Sequence, residues 1–506
     1  MEQLTALAQT FVKTMRRFGR DGHTHTPIHA LMNAVRDKHS VDDTELVMAL
    51  TEAIDEGFLL KTDINDETVI YVPAVFQMEK SIAQQLTCMV ETRLSPMSQS
   101  KLGTSLKRIR RSSKLSDEQF QAVTGTITNK VTVLTGGPGT GKTTTLKAIL
   151  DVADAMHIKY LLAAPTGQAA KRMAQSTGRA AVTVHRMLGY NPEENDFAYN
   201  KDRQLSTDMV IVDESSMLDL WLLHHLLRAL DKHTRILLVG DVNQLPSVGA
   251  GNVLKDIIVS GVAHVSNLTT IFRQSEDSHI VTNARAINAG EMPVLDNHST
   301  DFFMFRVADE QVGEMVTDIV ANRIPQKFGY APEEIQVLSA MYKGVGGVDG
   351  INTSLQNLMT DSSWSVRLKG GIYKVGDRVI QTKNNYDDDV MNGQTGQITF
   401  IDKQKQIVRI DFDGNQVSYP YKKMWMVKLA YAITTHRSQG SEYPVVVIPI
   451  TCNQGQMLQR NLLYTAITRA KQMVVLVGSI EAIREAIQNV SADERWTALA
   501  HRIRNP

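Results

Sequence analysis

The sequence predicts an α/β chain with two doubly wound parallel sheets, a small β-barrel inserted into the second, and a mainly helical, winged-helix-like module ahead of both. Three observations lead there. A glycine-rich phosphate loop stands between an apolar run and a helical pattern. Short apolar strands ending in polar loops occur in two sets along the chain, as expected where ligands bind at the carboxyl rim of parallel sheets. Inside the second set, residues 370–425 carry short alternating runs with Asn392-Gly393 and Asp413-Gly414 turns, the pattern of a closed antiparallel barrel.

Composition narrows the classes. The chain has 506 residues, room for three or four domains, and 42% of them are hydrophobic, enough for ordinary cores. Lys+Arg and Asp+Glu are both 54, so the net charge is zero. That argues against coating nucleic acid by bulk charge and leaves room for a local basic channel. Cys88 and Cys452 have no metal-ligand spacing. No secretory signal and no membrane-spanning run is found, so a soluble cytoplasmic protein is expected.

Residues 1–112 form the first unit. Helical patterns cover 4–18, 27–37 and 42–56, and alternation at Phe58-Leu59-Leu60 and Val69-Ile70-Tyr71-Val72 suggests a hairpin. Docking and DNA contact are both open to such a module. His23, His25 and His29 lack further ligands around them and read as surface histidines. The basic run at 107–111 fits a phosphate contact or a solvated linker equally.

Residues 113–268 form the second unit. Ser116 and Gln119 make a capping-box pattern, and the Gln119 amide also suits an adenine edge just upstream of the phosphate loop. The loop itself is Gly136-x-x-x-x-Gly141-Lys142-Thr143, between the apolar run 130–134 and a helix. Backbone N–H groups approach phosphates only where side chains are missing, hence Gly137, Gly139 and Gly141, with Thr140 and Thr144 alongside. Lys142 is expected on the β/γ-phosphates of ATP, and Thr143 on Mg²⁺. Strand 160–164 ends at Pro165-Thr166, and Thr183 and His185 follow; a Thr at a helix start is ordinarily a cap. Residues 190–207, around Phe197, suggest a short exposed hairpin or a plain loop. Strand 209–212 runs into Asp213-Glu214, where Asp213 is expected to hold Mg²⁺ and Glu214 to polarise the attacking water. Strand 235–239 ends near Gln244, placed beside the γ-phosphate.

The third unit, 269–369 with 426–506, repeats the pattern. Arg273 reads either as an arginine finger or as a surface ion-pair residue. A strand end at 431–440 carries Thr434, Thr435, His436 and Gly440, and Arg469 stands beside a helix as a second cation for the γ-phosphate.

The ordered set LSDEQ, GGPGTGKTTT, AAPTGQAAKRM, TVHRMLG, VDESSM, GDVNQLPSVGAG, IFRQ, ITTHRSQGSE and YTAITRA resembles superfamily 1 DNA helicases, in particular the RecD-like branch of 5′→3′ polarity. The resemblance implies two RecA-like P-loop domains, with Gly440 and Glu442 at the nucleotide and Glu442 on its ribose. It implies a single-strand track through Pro165, Thr166, Thr183 and His185 on one domain and Thr434, Thr435 and His436 on the other. The inserted barrel becomes an SH3-like domain gripping a strand, and the hairpin at Phe197 a pin that splits the duplex. Single-stranded DNA and single/double-strand junctions are the implied partners of a monomer acting in replication, recombination or repair. An ATP-driven translocase that remodels protein–DNA complexes without processive unwinding is the alternative. The longer family members carry further N-terminal helix-hairpin-helix modules, for which this chain leaves no room.

Overall fold

In the computed structural model, residues 4–39, 41–94, 99–112, 114–271, 278–360, 363–385, 387–491 and 494–505 are described. The first sheet has six parallel strands in the order His264–Leu268, Val131–Gly136, Arg235–Gly240, Met209–Val212, Tyr160–Ala164, Val182–Thr183. Its central strands are apolar on both faces because helices cover both. The phosphate-loop strand is the first of the set in chain order and lies inside the sheet, so its carboxyl end falls at a crevice where connections diverge. Gly141, in the left-handed region at φ 84°, turns the chain into the helix Lys142–Ala155.

The second sheet has five parallel strands in the order Phe302–Arg306, Ala470–Gly478, Tyr443–Ile450, Ile335–Ser339, Ala432–Thr434. Between its members the chain leaves to form an antiparallel barrel with strands Arg378–Gln381, Thr395–Asp402, Ile407–Phe412, Asn415–Pro420 and Val427–Leu429. A hairpin of Ser365–Leu368 and Gly371–Lys374 precedes it, and Tyr373 Oη closes on Val427 O at 2.8 Å. Asp413 and Gly414, both at positive φ, make the tight turn their dipeptide predicts.

The N-terminal module comprises helices Ala6–Arg20, Ile28–Arg36 and Asp43–Asp55 with strands His25–Pro27, Leu60–Ile64 and Glu67–Tyr71, around a core of Phe11, Leu31, Leu46, Leu50 and Ile70. Two departures from the sequence reading concern what belongs to it. Helices Pro73–Glu91 and Gln99–Ser112 pack on the first sheet instead, through Ile82 and Leu86 on one side and Leu102 and Ile109 on the other. The basic run at 107–111 is therefore part of a packed helix. At the other end of the chain, helix Leu499–Arg504 leaves the second sheet and joins the first domain's core beside Leu223 and Ile257. Its anchor is Arg502, whose Nε donates to the fully buried Glu79 Oε2 at 3.2 Å.

The histidines are also placed differently. His25 is buried against Tyr71, and its imidazole is pushed down to about 4, chiefly by burial. The His23 ring lies 4.3 Å from that of Trp496, and His23 Nδ1 accepts from Trp496 N. Only His29 is exposed. Among the described residues no metal-ligating cluster occurs, and no helix is long and apolar enough to cross a membrane.

Candidate active site between the two sheets

A cavity of about 310 Å³ opens where the carboxyl rims of the two sheets face each other. The first domain lines it with residues 137–144, Arg172, Asp213, Glu214, Asp241 and Gln244, and the second with Glu442, Thr468 and Arg469. Lys142 Nζ donates to the carbonyls of Gly136 and Gly137 at 2.5 and 2.9 Å, which holds its ammonium over the loop. Gly139 takes φ 74°, and Thr140 Oγ1 ties the loop to Gly137 O at 2.9 Å. Gln119 takes the capping role its position allowed and also touches the phosphate loop. It completes the capping box with Ser116, and its Nε2 reaches Thr140 O at 3.4 Å.

The acidic pair is asymmetric. Burial first, and the neighbouring Glu214 second, push the Asp213 carboxyl up to about 6. A carboxylate drawn out of water in this way suits a cation, and Thr143 lines the same cavity with a second hard oxygen, so the two residue types fit Mg²⁺. Glu214 sits at φ 50°, ψ 41°, in the left-handed region that a glutamate seldom adopts. Its Oε1 lies 3.6 Å from Arg172 Nη1 and 4.0 Å from Arg469 Nη1. Arg172 Nη2 in turn bonds Glu442 Oε1. Two cations from opposite sheets thus converge on one carboxylate. Arg469 is buried, donates from Nη1 to Ser441 O at 3.2 Å, and leaves Nε with no hydrogen-bond partner. A buried guanidinium on the wall of a phosphate-loop cavity is chemically suited to an anion.

Three models of known families match the chain: an AAA domain at 119–250, an ATP-dependent RecD-like DNA helicase SH3 domain at 351–412, and a UvrD-like helicase C-terminal domain at 429–477. Over 427 residues the chain is 33% identical to the RecBCD enzyme subunit RecD of Mycolicibacterium smegmatis, covering 77% of this chain and 75% of that one. The chain belongs to the RecD-like helicase family. It is also 34% identical over 495 residues to the ATP-dependent RecD2 DNA helicase of Deinococcus radiodurans, covering 96% of this chain and 66% of that relative's length. Among solved structures, the Pif1 helicase from Candida albicans aligns at 19% identity over 75% of this chain and 97% of its own, with a TM-score of 0.47.

Not every residue expected from this RecD-like pattern joins the cavity. Arg273 lies outside the described residues. Gly440 is absent from the cavity wall. It sits at φ 77°, where a Cβ would come within 3.0 Å of Thr166 Oγ1 and Ala169 Cβ, so its role is the close approach of the two domains. That approach brings the end of the segment 434–440 against Thr166 and Ala169. Within it Thr434 and Thr435 are buried, Thr435 Oγ1 donating to Ser339 O at 3.4 Å, and only His436 is exposed. The Thr435 hydroxyl is spent on the fold, and both threonines are buried away from an open track. Thr166 and Thr183 cap helices through Ala169 N and Arg186 N.

Phe197 requires a correction. The short hairpin Tyr190–Asn191 with Asp196–Phe197 exists, but Phe197 is 3% exposed, packed among His185, Tyr190, Trp221 and His225. It anchors the hairpin's base and cannot be its wedge; residues 192–195 form the tip. Burial lowers the His185 imidazole, so this half-buried ring is neutral near pH 7 and presents surface in place of charge.

Several cleft residues went unassigned in the sequence. Arg172 lies inside AAPTGQAAKRM, and Tyr464 and Thr465 inside YTAITRA, yet nothing in one sequence says that they meet residues hundreds of positions away. Tyr464 Oη donates to Asp241 Oδ2 at 2.8 Å, Leu245 N donates to Thr465 Oγ1 at 2.8 Å, and Gln439 Nε2 donates to Leu245 O at 3.1 Å.

Proposed function

We propose that this chain hydrolyses ATP in the cleft and uses closure and reopening of its two RecA-like domains to move 5′→3′ along single-stranded DNA, unwinding the duplex ahead. The observation that carries the reading is Arg469 of the second domain entering the phosphate-loop cavity of the first and converging with Arg172 on Glu214. An active site assembled from two bodies is complete only when they are together, so loss of the γ-phosphate weakens closure. Lys142 neutralises the β/γ-phosphates, Glu214 accepts a proton from the attacking water, and Arg469 stabilises charge on the transferring group. Thr143 and Asp213 would hold a Mg²⁺ that adds positive charge at the phosphate oxygens. In this reading the Gln119 amide meets the adenine edge and Glu442 the ribose. Gly440 packs against Thr166 across the domain boundary, and His436 is exposed in the same segment, which supports a single-strand path along the rim.

Paired substrates carrying a 5′ or a 3′ single-stranded overhang test activity and direction together. With ATP and Mg²⁺, strand separation is expected on the 5′-tailed duplex alone. Separation of the 3′-tailed duplex only would reverse the assigned polarity, and ATP turnover without separation of either would remove the unwinding step.

A further inference from the structure

We infer that Tyr464 is a positioning residue that reports domain closure to Gln244 through the carboxylate of Asp241. This rests on the ATP-driven motor reading above and specifies how the cleft is regulated. Asp241 follows the strand Arg235–Gly240 of the first domain and is 1% exposed. Its Oδ1 accepts from Asn243 N at 3.0 Å, which shapes the turn. Its Oδ2 is shared by two donors from opposite domains: Gln244 Nε2 at 3.4 Å and Tyr464 Oη at 2.8 Å. The tyrosine belongs to the helix Arg460–Thr468, whose C-terminal residue is followed directly by Arg469. One rigid element therefore carries both the cation that enters the cavity and the phenol that grips the opposite loop.

The loop is held at two further points, Leu245 N on Thr465 Oγ1 and Leu245 O on Gln439 Nε2. All three bonds cross between the domains, so opening the cleft breaks them together. With the phenol in place, Asp241 retains a strong buried donor when the longer Gln244 bond is given up, freeing the Gln244 amide to turn toward a γ-phosphate. Without it, a buried carboxylate must keep Gln244 as its partner, because an unpaired charge in that position is costly. The phenol also sets the fit against the phosphate loop, since a Cβ on Gly137 would stand 3.3 Å from Tyr464 Oη.

The test uses the full chain and three variants: Tyr464→Phe, Asp241→Asn and the double. Thermal unfolding verifies folding, affinity for a fluorescent non-hydrolysable ATP analogue reports binding, and turnover is read with and without single-stranded DNA. The wild type is measured first, and absence of DNA-stimulated turnover there would count against the motor reading itself. Given stimulation, Tyr464→Phe is expected to leave analogue affinity within about threefold while lowering the DNA-stimulated kcat by roughly tenfold or more, the scale of a lost hydrogen bond to a charged group. In the Asp241→Asn background the same change should cost about twofold or less. Wild-type turnover in Tyr464→Phe, parallel loss of affinity and kcat, or full multiplication of the two single effects would each overturn the coupling.

Discussion

At the scale of single residues, the cleft separates roles that look alike in a list of motifs. Lys142 and Arg469 are both cations on one cavity, yet they come from different bodies. Lys142→Ala removes the charge that receives the phosphates and should abolish ATP turnover, with nucleotide affinity falling too. Arg469→Ala should spare affinity for a non-hydrolysable analogue, measured by fluorescence, and lower kcat by about 10³ or more, the range for a true arginine finger. Equal losses in both quantities would place Arg469 in ground-state binding. That Lys142, Asp213 and Glu214 line one cavity was readable because phosphate chemistry dictates residue types at fixed spacing after a strand. Gln119 was legible as two options, and the folded chain uses its side chain for the cap while keeping it against Thr140. Tyr464 and Arg172 were not legible, because a hydroxyl or guanidinium has no sequence signature for a partner on another domain.

At the scale of elements, the hairpin shows how a correct element can carry a wrong residue role. Aromatic residues near a turn invite a wedge reading, but five rings at Tyr190, Phe197, His185, Trp221 and His225 have more apolar surface to hide than a two-residue strand can expose. Phe197→Ala is therefore expected to destabilise by about 3–5 kcal/mol, seen as a lower unfolding midpoint, with ATPase and unwinding falling together. Replacing residues 192–195 by glycines should instead lower strand separation while sparing DNA-stimulated ATPase. If unwinding survives that change undiminished, the tip has no part in splitting the duplex. The barrel leans on the first domain through Lys171 to Asp413 and Arg186 to Asp389, with Met391 over Gly167. Such exposed pairs contribute little individually, so they set an orientation more than a stability.

At the scale of the whole molecule, the two chain ends meet over the first domain. Glu79 accepts from Tyr71 Oη, Ala498 N and Arg502 Nε, which ties the N-terminal module, the helix Pro73–Glu91 and the last helix into one knot. Arg502→Ala leaves a buried carboxylate without its cation and should cost about 3 kcal/mol in unfolding free energy. Beside it, burial pushes Asp256 up to about 7, its bond from Thr497 opposing only in part. With the folded value above the unfolded one, the folded state binds the extra proton, so stability falls as pH rises from about 4 through 7. Asp256→Asn removes that loss, and its advantage in thermal midpoint over the wild type should grow between pH 4.5 and pH 7.5; a constant difference would show that Asp256 does not titrate there.

The sequence by itself determined the two-sheet architecture, the inserted barrel and the phosphate-binding half of the site, because burial on both strand faces and close backbone approach to phosphate each force residue types into local patterns. Only the tertiary structure decided which helices belong to which body, which threonines are spent on caps and cores, and which side chains from the second domain complete the cleft. Those outcomes depend on surfaces brought together from distant positions, and a side chain's partner there is set by packing, which leaves no periodic trace along the chain.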